Sequence, residues 1–430
     1  MRRTFMFVAA LASALLFTPA GPGQLKDSEI NGKTLNAWIK DLEDRDVSVR
    51  VTAIQTIVQY GDGAKRAIPI LIGPLGLGSP DASVRVNAAI AVGVIGVDPR
   101  DMDKAVAALQ AALKDPQGIV RYQAAMALGR LGTAARAALP YLCQYTIKDQ
   151  TSWEIRKAAA FAIGNLAKNS PNGPEPVVLQ ALTSTFYGNS PDSAVQVRLE
   201  AIMALSEIGA PKGTREINQL KLCLENALYD KKDARVRLYA RLLLMQLDPS
   251  YINDVNIVAI GKELTNPQLE ARCHAARALG LLGVRAQSQI PNLIRMTRDK
   301  ESAAAGTAIT ALVAMKDAIT DSHIIEIASG LQAKEAHIRF YAVQALAALG
   351  PRAKAHVPQL IAMLADPDPA IVAASALALA EMPEAADTAL PILKELTKHK
   401  DEMVRTSAEK AHTKIELTVK GVPMKLPAMK

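Results

Sequence analysis

The sequence predicts an all-α chain made of about eleven stacked helical hairpins, and three observations predict it. The first is a phrase that returns along the chain, seen most clearly in Asp115 to Gly132: an acidic turn, Val120-Arg121, then Ala124, Ala127, Leu128 and Leu131 at helical spacing. The second is punctuation. Ile68-Pro69, Leu139-Pro140, Ile290-Pro291, Val357-Pro358 and Leu390-Pro391 each put a proline at the start of an apolar helical run, where a missing N–H costs nothing. Gly61, Gly96, Gly132, Gly209, Gly283 and Gly350 sit where the preceding helix must stop. The third is composition: 50% apolar residues, 13 Met and only 4% aromatic suit closely packed helices better than sheets. A length of 430 residues would otherwise suggest about three domains, but a single repeated phrase argues for one array.

The first twenty residues form a different kind of sequence. Arg2 and Arg3 precede an apolar run from Phe5 to Phe17, followed by the small-residue site Thr18-Pro19-Ala20. Residues 1–20 are expected to be a cleaved export signal, with an uncleaved anchor as the alternative, because the run falls short of the roughly 20 apolar residues a spanning helix needs. The mature chain is then expected in the periplasm or cell envelope, with no transmembrane segment of its own. Residues 21–33 read as a flexible leader, and Thr34 as the N-cap of the first helix, which carries Leu35, Trp38, Ile39 and Leu42.

Aligned on the Val-Arg pair, second helices are expected near Arg50, Arg85, Arg121, Arg156, Arg198, Arg237, Arg272, Arg339 and Arg405. Two further copies carry Ala305 and Val372 in place of arginine. An insert rich in Pro and Gly, Asn169 to Pro176, stretches one spacing. The last second helix, with Lys410, Lys414 and Glu416, is more polar and caps an array spanning residues 34–416; residues 417–430 read as a mobile basic tail. A single hairpin cannot bury its apolar stripe alone, so neighbouring copies must stack.

Asp115-Pro116 through Val120-Arg121, Ala124 to Leu128 and Gly132 resemble the HEAT repeat, in its PBS-lyase HEAT-like variant. Gly32-Lys33-Thr34-Leu35 with Trp38-Ile39 and Leu42 is similar to the first repeat of exported bacterial HEAT proteins. The resemblance covers nearly the whole mature chain. It implies a right-handed α-solenoid of the armadillo-like helical kind, a fold that serves many functions.

Motifs that would carry chemistry are scarce. His274, His323, His337, His356, His399 and His412 form no HExxH, and none is followed by Glu, unlike the His-Glu ligand pairs of iron hydroxylases built from similar repeats. The sequence has no glycine-rich phosphate loop and no cysteine pair at zinc spacing. Cys143, Cys223 and Cys273 are expected to pack in the core. No catalytic residue, metal or cofactor is therefore expected. Losing Arg2 and Arg3 lowers the formal charge from +8 to +6, which permits an acidic partner without demanding one. Sparse aromatics and export argue against nucleic acid.

Three surfaces remain as candidates. The arginine column reads as structural, each guanidinium neutralised by an acid of its own turn or its neighbour's, such as Asp46, Asp81, Asp115, Asp192 or Asp233. A second column lies one and five residues after each arginine, apolar in repeats two to six. It either packs second helices side by side or lines a partner groove of Tyr122, Met126, Phe161, Leu199, Met203 and Leu242. The third comprises basic turns at Lys65, Arg66, Arg136, Arg285, Arg352 and Lys354, either solvated charge or an edge for weak contact with an anionic surface. The expected function is a non-catalytic scaffold for an unidentified protein or peptide on the concave face; the alternative is an accessory subunit or lyase-like enzyme holding a small ligand there. The export expectation is checked by sequencing the N-terminus of the protein recovered from the envelope of an expressing bacterium. A mature chain beginning at Gly21 is expected, and one that retains Met1 rejects a cleaved signal.

Overall fold

Local signals at the helix ends decide where each element starts and stops. The computed structural model describes residues 29–188 and 191–420, so the expected signal over residues 1–20 lies outside the described residues. Among the described residues the only extended pairing is an isolated bridge between Ile30 and Lys33. The chain divides into two compact units, Met1–Pro249 and Ser250–Lys430. The helix before that division ends on an extended Asp248 rather than a glycine.

The first unit holds six hairpins. They are α1 (Leu35–Lys40) with α2 (Val47–Gln59), α3 (Ile68–Leu71) with α4 (Ala82–Ile95), and α5 (Met102–Ala112) with α6 (Gly118–Leu131). There follow α7 (Leu139–Gln144) with α8 (Trp153–Ala167), α9 (Pro176–Thr183) with α10 (Val195–Ile208), and α11 (Thr214–Ala227) with α12 (Ala234–Leu247). The second unit holds five. These are α13 (Asp254–Lys262) with α14 (Leu269–Leu282), α15 (Ile290–Met296) with α16 (Ser302–Ala314), and α17 (Asp321–Ala328) with α18 (Ala336–Leu349). The last two are α19 (Val357–Ala362) with α20 (Pro369–Ala380) and α21 (Leu390–Leu396) with α22 (Glu402–Val419). Among the described residues eleven hairpins therefore match the repeat count, and each unit is an all-α solenoid segment.

The five Ile/Leu/Val-Pro pairs sit at the first two positions of α3, α7, α15, α19 and α21. The six expected glycines all take positive φ, from 54° to 85°, as the left-handed stop requires. Thr34 caps α1 by accepting from the Ala37 amide. The end of the expected flexible leader is held in place instead: Tyr60 Oη accepts from Ile30 N and donates to Lys33 O, while Trp38 Nε1 donates to Ile30 O. A buried tyrosine and tryptophan find their polar partners in this hook. At the other terminus α22 continues to Val419, past the expected end of the array, and residues 421–430 of the tail lie outside the described residues.

Within each unit consecutive second helices pack directly on one another, and small residues set how close they come. A methyl built on Gly93 would lie 2.8 Å from Ala127 Cα, one on Gly164 2.8 Å from Ala204 Cβ, and one on Gly280 3.0 Å from Ala311 Cα. These glycines stand eight residues after the repeat arginine and receive an alanine six residues after the matching position of the next copy, which is Ala305 in the case of Gly280. Helix propensity alone says Gly93→Ala should gain about 1 kcal/mol, whereas overpacking costs about 1–3 kcal/mol. Contact with backbone cannot be relieved by a rotamer change, so we expect Gly93→Ala to destabilise the protein in urea unfolding. Gly63→Ala, where nothing lies within 4 Å, should be close to neutral. Gain at Gly93 would show that the helices can move apart freely.

Candidate interaction surface

The arginine column forms a chain of links between successive hairpins. Each hairpin's internal turn leaves carbonyls that no helix satisfies, and the repeat arginine reaches back to them. Arg121 Nη1 donates to Asp115 O and Pro116 O, Arg339 Nη1 to Ala333 O and Lys334 O, and Arg50, Arg85, Arg272 and Arg405 do the same in their own turns. The other edge of the guanidinium faces forward. Arg85 Nε and Nη2 donate to Asp115 at 2.6 and 3.0 Å, and Arg339 donates to Asp366 at 2.7 and 3.0 Å. Arg121 pairs with Asp149, Arg156 with Asp192, Arg198 with Asp230 and Arg272 with Asp299. Arg237 donates to Asp230 O in its own turn.

The acids divide into two sets. Asp115 and Asp192 receive an arginine from the preceding hairpin, as expected, but Asp46, Asp81 and Asp233 do not pair with the repeat arginine. They cap α2, α4 and α12 instead, and Asp233 pairs with Arg235. The reason is position: an acid at the last residue before the helix meets free amides, whereas one at the start of the turn faces the neighbouring hairpin. The sequence reading missed Asp149, Asp230, Asp299 and Asp366. The signal for them is an acid six or seven residues before the repeat arginine, or before the Ala305 or Val372 that replaces it, with an amide donor two residues on, as from Gln117 to Asp115.

Burial alone would raise the carboxyl of Asp115, but hydrogen bonds from Arg85 and from the Gln117 amide, with the charges of Arg85 and Arg121, hold it below the usual carboxylate range. Asp149, Asp192 and Asp366 are lowered by the same balance.

The apolar column behaves as a lateral contact and an exposed strip at once. Phe161 is the packing case: its Cε1 would lie 2.5 Å from a methyl at Gly129, so the ring lies across α6. Leu238 is buried, at 1% exposure. Tyr122, Met126, Leu199, Met203 and Leu242 stay half-buried, with part of each side chain facing solvent. Glu200, beside Leu199, is pushed up by burial against the pull of Lys157.

Basic turns are partly committed to the fold. Arg136 Nη2 donates to Ser170 Oγ and Glu175 Oε1, both at 2.9 Å, and Arg352 donates to the carbonyls of Lys316 and Ile319. Lys65 pairs with Asp62 at 3.3 Å, while Arg66, Arg285 and Lys354 are exposed. The three thiols are free. Cys143 and Cys223 are buried in α7 and α11, and Cys273 is half-buried on α14. Burial, then Glu175, pushes Cys143 up to about 12, the behaviour of an unreactive core residue. Among the described residues no cluster of three metal-ligating side chains occurs, and no helix is long and apolar enough to cross a membrane.

Residues 76–164 and 322–412 match the HEAT repeats family. These two stretches fall one in each unit and take in the links Arg85–Asp115, Arg121–Asp149 and Arg339–Asp366. Among solved structures, importin β is similar, with 17% identity and a TM-score of 0.62 over 90% of this chain and 56% of that one. Kap95p, studied with RanGDP, gives 13% and 0.57 over 89% and 56%; Kap121p bound to Nup53p gives 14% and 0.54 over 89% and 45%. The chain thus spans about half the length of these solved structures, and the likeness is one of fold. No curated protein matches it.

An aspartate held below its unfolded value, about 3.9, adds stability at every pH above that value and loses it as pH falls through the lower folded value. We expect Asp115→Asn to cost about 1–3 kcal/mol at pH 7, since it leaves a mostly buried Arg85 without its counter-charge. Urea unfolding at several pH values checks this: the gap from wild type should narrow as pH falls below about 4. A gap independent of pH would mean the link is not ionic.

Proposed function

We propose that this chain is a non-catalytic scaffold that holds a protein or peptide partner against the second helices of its first unit. One observation carries the reading. After the second helices have packed, Tyr122, Met126, Leu199, Met203 and Leu242 still show part of their apolar surface on α6, α10 and α12. A strip of this kind suits the apolar face of a partner helix or an extended peptide, whose side chains anchor at intervals. Met and Tyr serve such contacts well, because one adapts its shape and the other brings a polar tip to an apolar body. Kap121p bound to Nup53p offers a protein partner on the same fold, and that relationship is carried over here by analogy.

The same reading places the chain, as an exported HEAT protein of the PBS-lyase HEAT-like kind, in the periplasm or cell envelope. Its support is the basic start and apolar run from Phe5 to Phe17.

Phe161 lies across Gly129, so substituting it would confound packing with binding. The test therefore uses Tyr122→Asp with Met203→Asp, and Leu222→Asp as a control on the exposed side of α11, where Leu222 is 54% exposed. Immobilised proteins are challenged with envelope extract. Partners retained by wild type and by Leu222→Asp should be lost from the double variant at unchanged thermal stability. Identical partners on all three would remove the strip from consideration.

A further inference from the structure

A cavity also lies on the first-helix side of the second unit. An open cleft of about 910 Å³ separates α13 from α15, at the upper end of the roughly 300–1,000 Å³ usual for ligand sites. Its floor is polar. Gln289, 4% exposed, lies so close over α13 that a methyl on Gly261 would sit 1.9 Å from its Oε1, and that oxygen accepts from Asn292 Nδ2. Arg272, 6% exposed, also lines the cleft. Its Nη2 donates to Asp299 Oδ1 at 2.9 Å, while Nε, 2.7 Å from Asp299 Oδ2, makes no hydrogen bond among the described residues. In Arg85, Arg121, Arg156, Arg198 and Arg339 the same nitrogen is satisfied.

The rim is cationic. Lys262, Arg295, Arg298 and Lys300 are exposed around the cleft, and the one acid lining it, Asp299, is already held by Arg272. Arg298 donates to Glu326 O and Ser329 Oγ, while Lys262, Arg295 and Lys300 have no carboxylate partner among the described residues. One wall is aliphatic. Val258, 42% exposed, shares a face of α13 with Lys262 and with Val255, which is 80% exposed one turn earlier.

We infer that this cleft binds an acidic peptide, carboxylates meeting Lys262, Arg295 and Lys300 while an aliphatic side chain rests on Val255 and Val258. Like charges gathered around a concave wall raise the local potential for an anion, and carboxylates complete hydrogen bonds that the guanidinium of Arg295 lacks. The amides of Asn266 and Asn292 offer both donors and acceptors, which match a peptide backbone. A sulfated or phosphorylated polymer would have no use for two exposed valines beside the cations. The inference deepens the scaffold reading by adding a second site of stated chemistry, and it does not depend on the strip in the first unit.

The probe is a labelled peptide of glutamates interspersed with leucine and serine, followed by fluorescence anisotropy with the full chain. Wild type should bind it, and Arg295→Glu with Lys300→Glu should weaken binding by about tenfold or more. Val258→Glu, a change at an exposed site, should weaken it as well, whereas Arg285→Glu, outside the cleft in the same unit, should leave it nearly unchanged. Circular dichroism of each variant reports folding. No binding by wild type, equal loss in Arg285→Glu, or binding of heparin in preference to the peptide would each overturn the inference. The Tyr122→Asp with Met203→Asp variant should retain peptide binding, so failure of the strip and failure of the cleft are separate results.

Discussion

The fold depends on one guanidinium that does two jobs at each step. A hairpin's internal turn presents two carbonyls with no helical partner, and leaving them dry would cost more than most single contacts return. Arginine supplies the donors backward and, through the other edge of the same plane, reaches a carboxylate in the next hairpin. Lysine has a point charge and no such fork. The aspartate is occupied on both sides too, since it accepts from an amide of its own turn while it receives the arginine. A half-buried ion pair is ordinarily a poor source of stability because desolvation offsets attraction. Here arginine and aspartate each also bond to backbone, through Nη1 and through a turn amide, so the pair fixes register between hairpins as well as charge.

At the two copies that lack the arginine, both halves of the link are missing. Ala305 replaces the arginine, and the acid position of the next turn is Ala333; Val372 replaces it again, and the next acid position is His399. No buried charge is therefore abandoned. The replacements are sealed: Ala305 is 0% and Val372 4% exposed, and Val372 packs with Ala373 and Val404 in an apolar cluster. Exchange of a buried ionic link for close apolar packing need not soften a structure. At the two ends of the chain the logic is simpler. Among the described residues Arg405 keeps only its backward bonds, and Arg50 faces a turn that offers Ser79 in the acid position.

Much of the fold was legible because starts and stops are written in local chemistry. Proline at the beginning of first helices, glycine at the end of second helices and the Val-Arg phrase agree without reference to tertiary contacts, and eleven hairpins follow from them. Less legible were features that depend on what faces what. Aspartates one turn apart look alike in sequence, yet Asp81 caps its own helix while Asp115 accepts a neighbour's arginine. Gly93, Gly129, Gly164 and Gly280 read as weak points inside helices, and only the approach of the next helix shows their use. Which members of the apolar column pack and which stay partly exposed depends on such glycines: Phe161 is drawn down onto α6 by Gly129. The cleft between α13 and α15 had no signature, because its cations come from separate turns and meet only through the spacing of two first helices.

Stability and recognition thus draw on different charges. In the links, arginine and aspartate are mutually satisfied within a low-dielectric seam, which added salt screens poorly. The cations left over, Lys262, Arg295 and Lys300 among them, stand in water, where ionic strength governs their reach. The mild positive excess of the chain is then no property of the repeated phrase, which nearly cancels itself wherever the link is intact. It belongs to residues outside the phrase, and those residues are free to change without disturbing the stack. A repeat can keep its shape while its surface charges vary from copy to copy, and a site such as the cleft can form in one unit with no counterpart in the other.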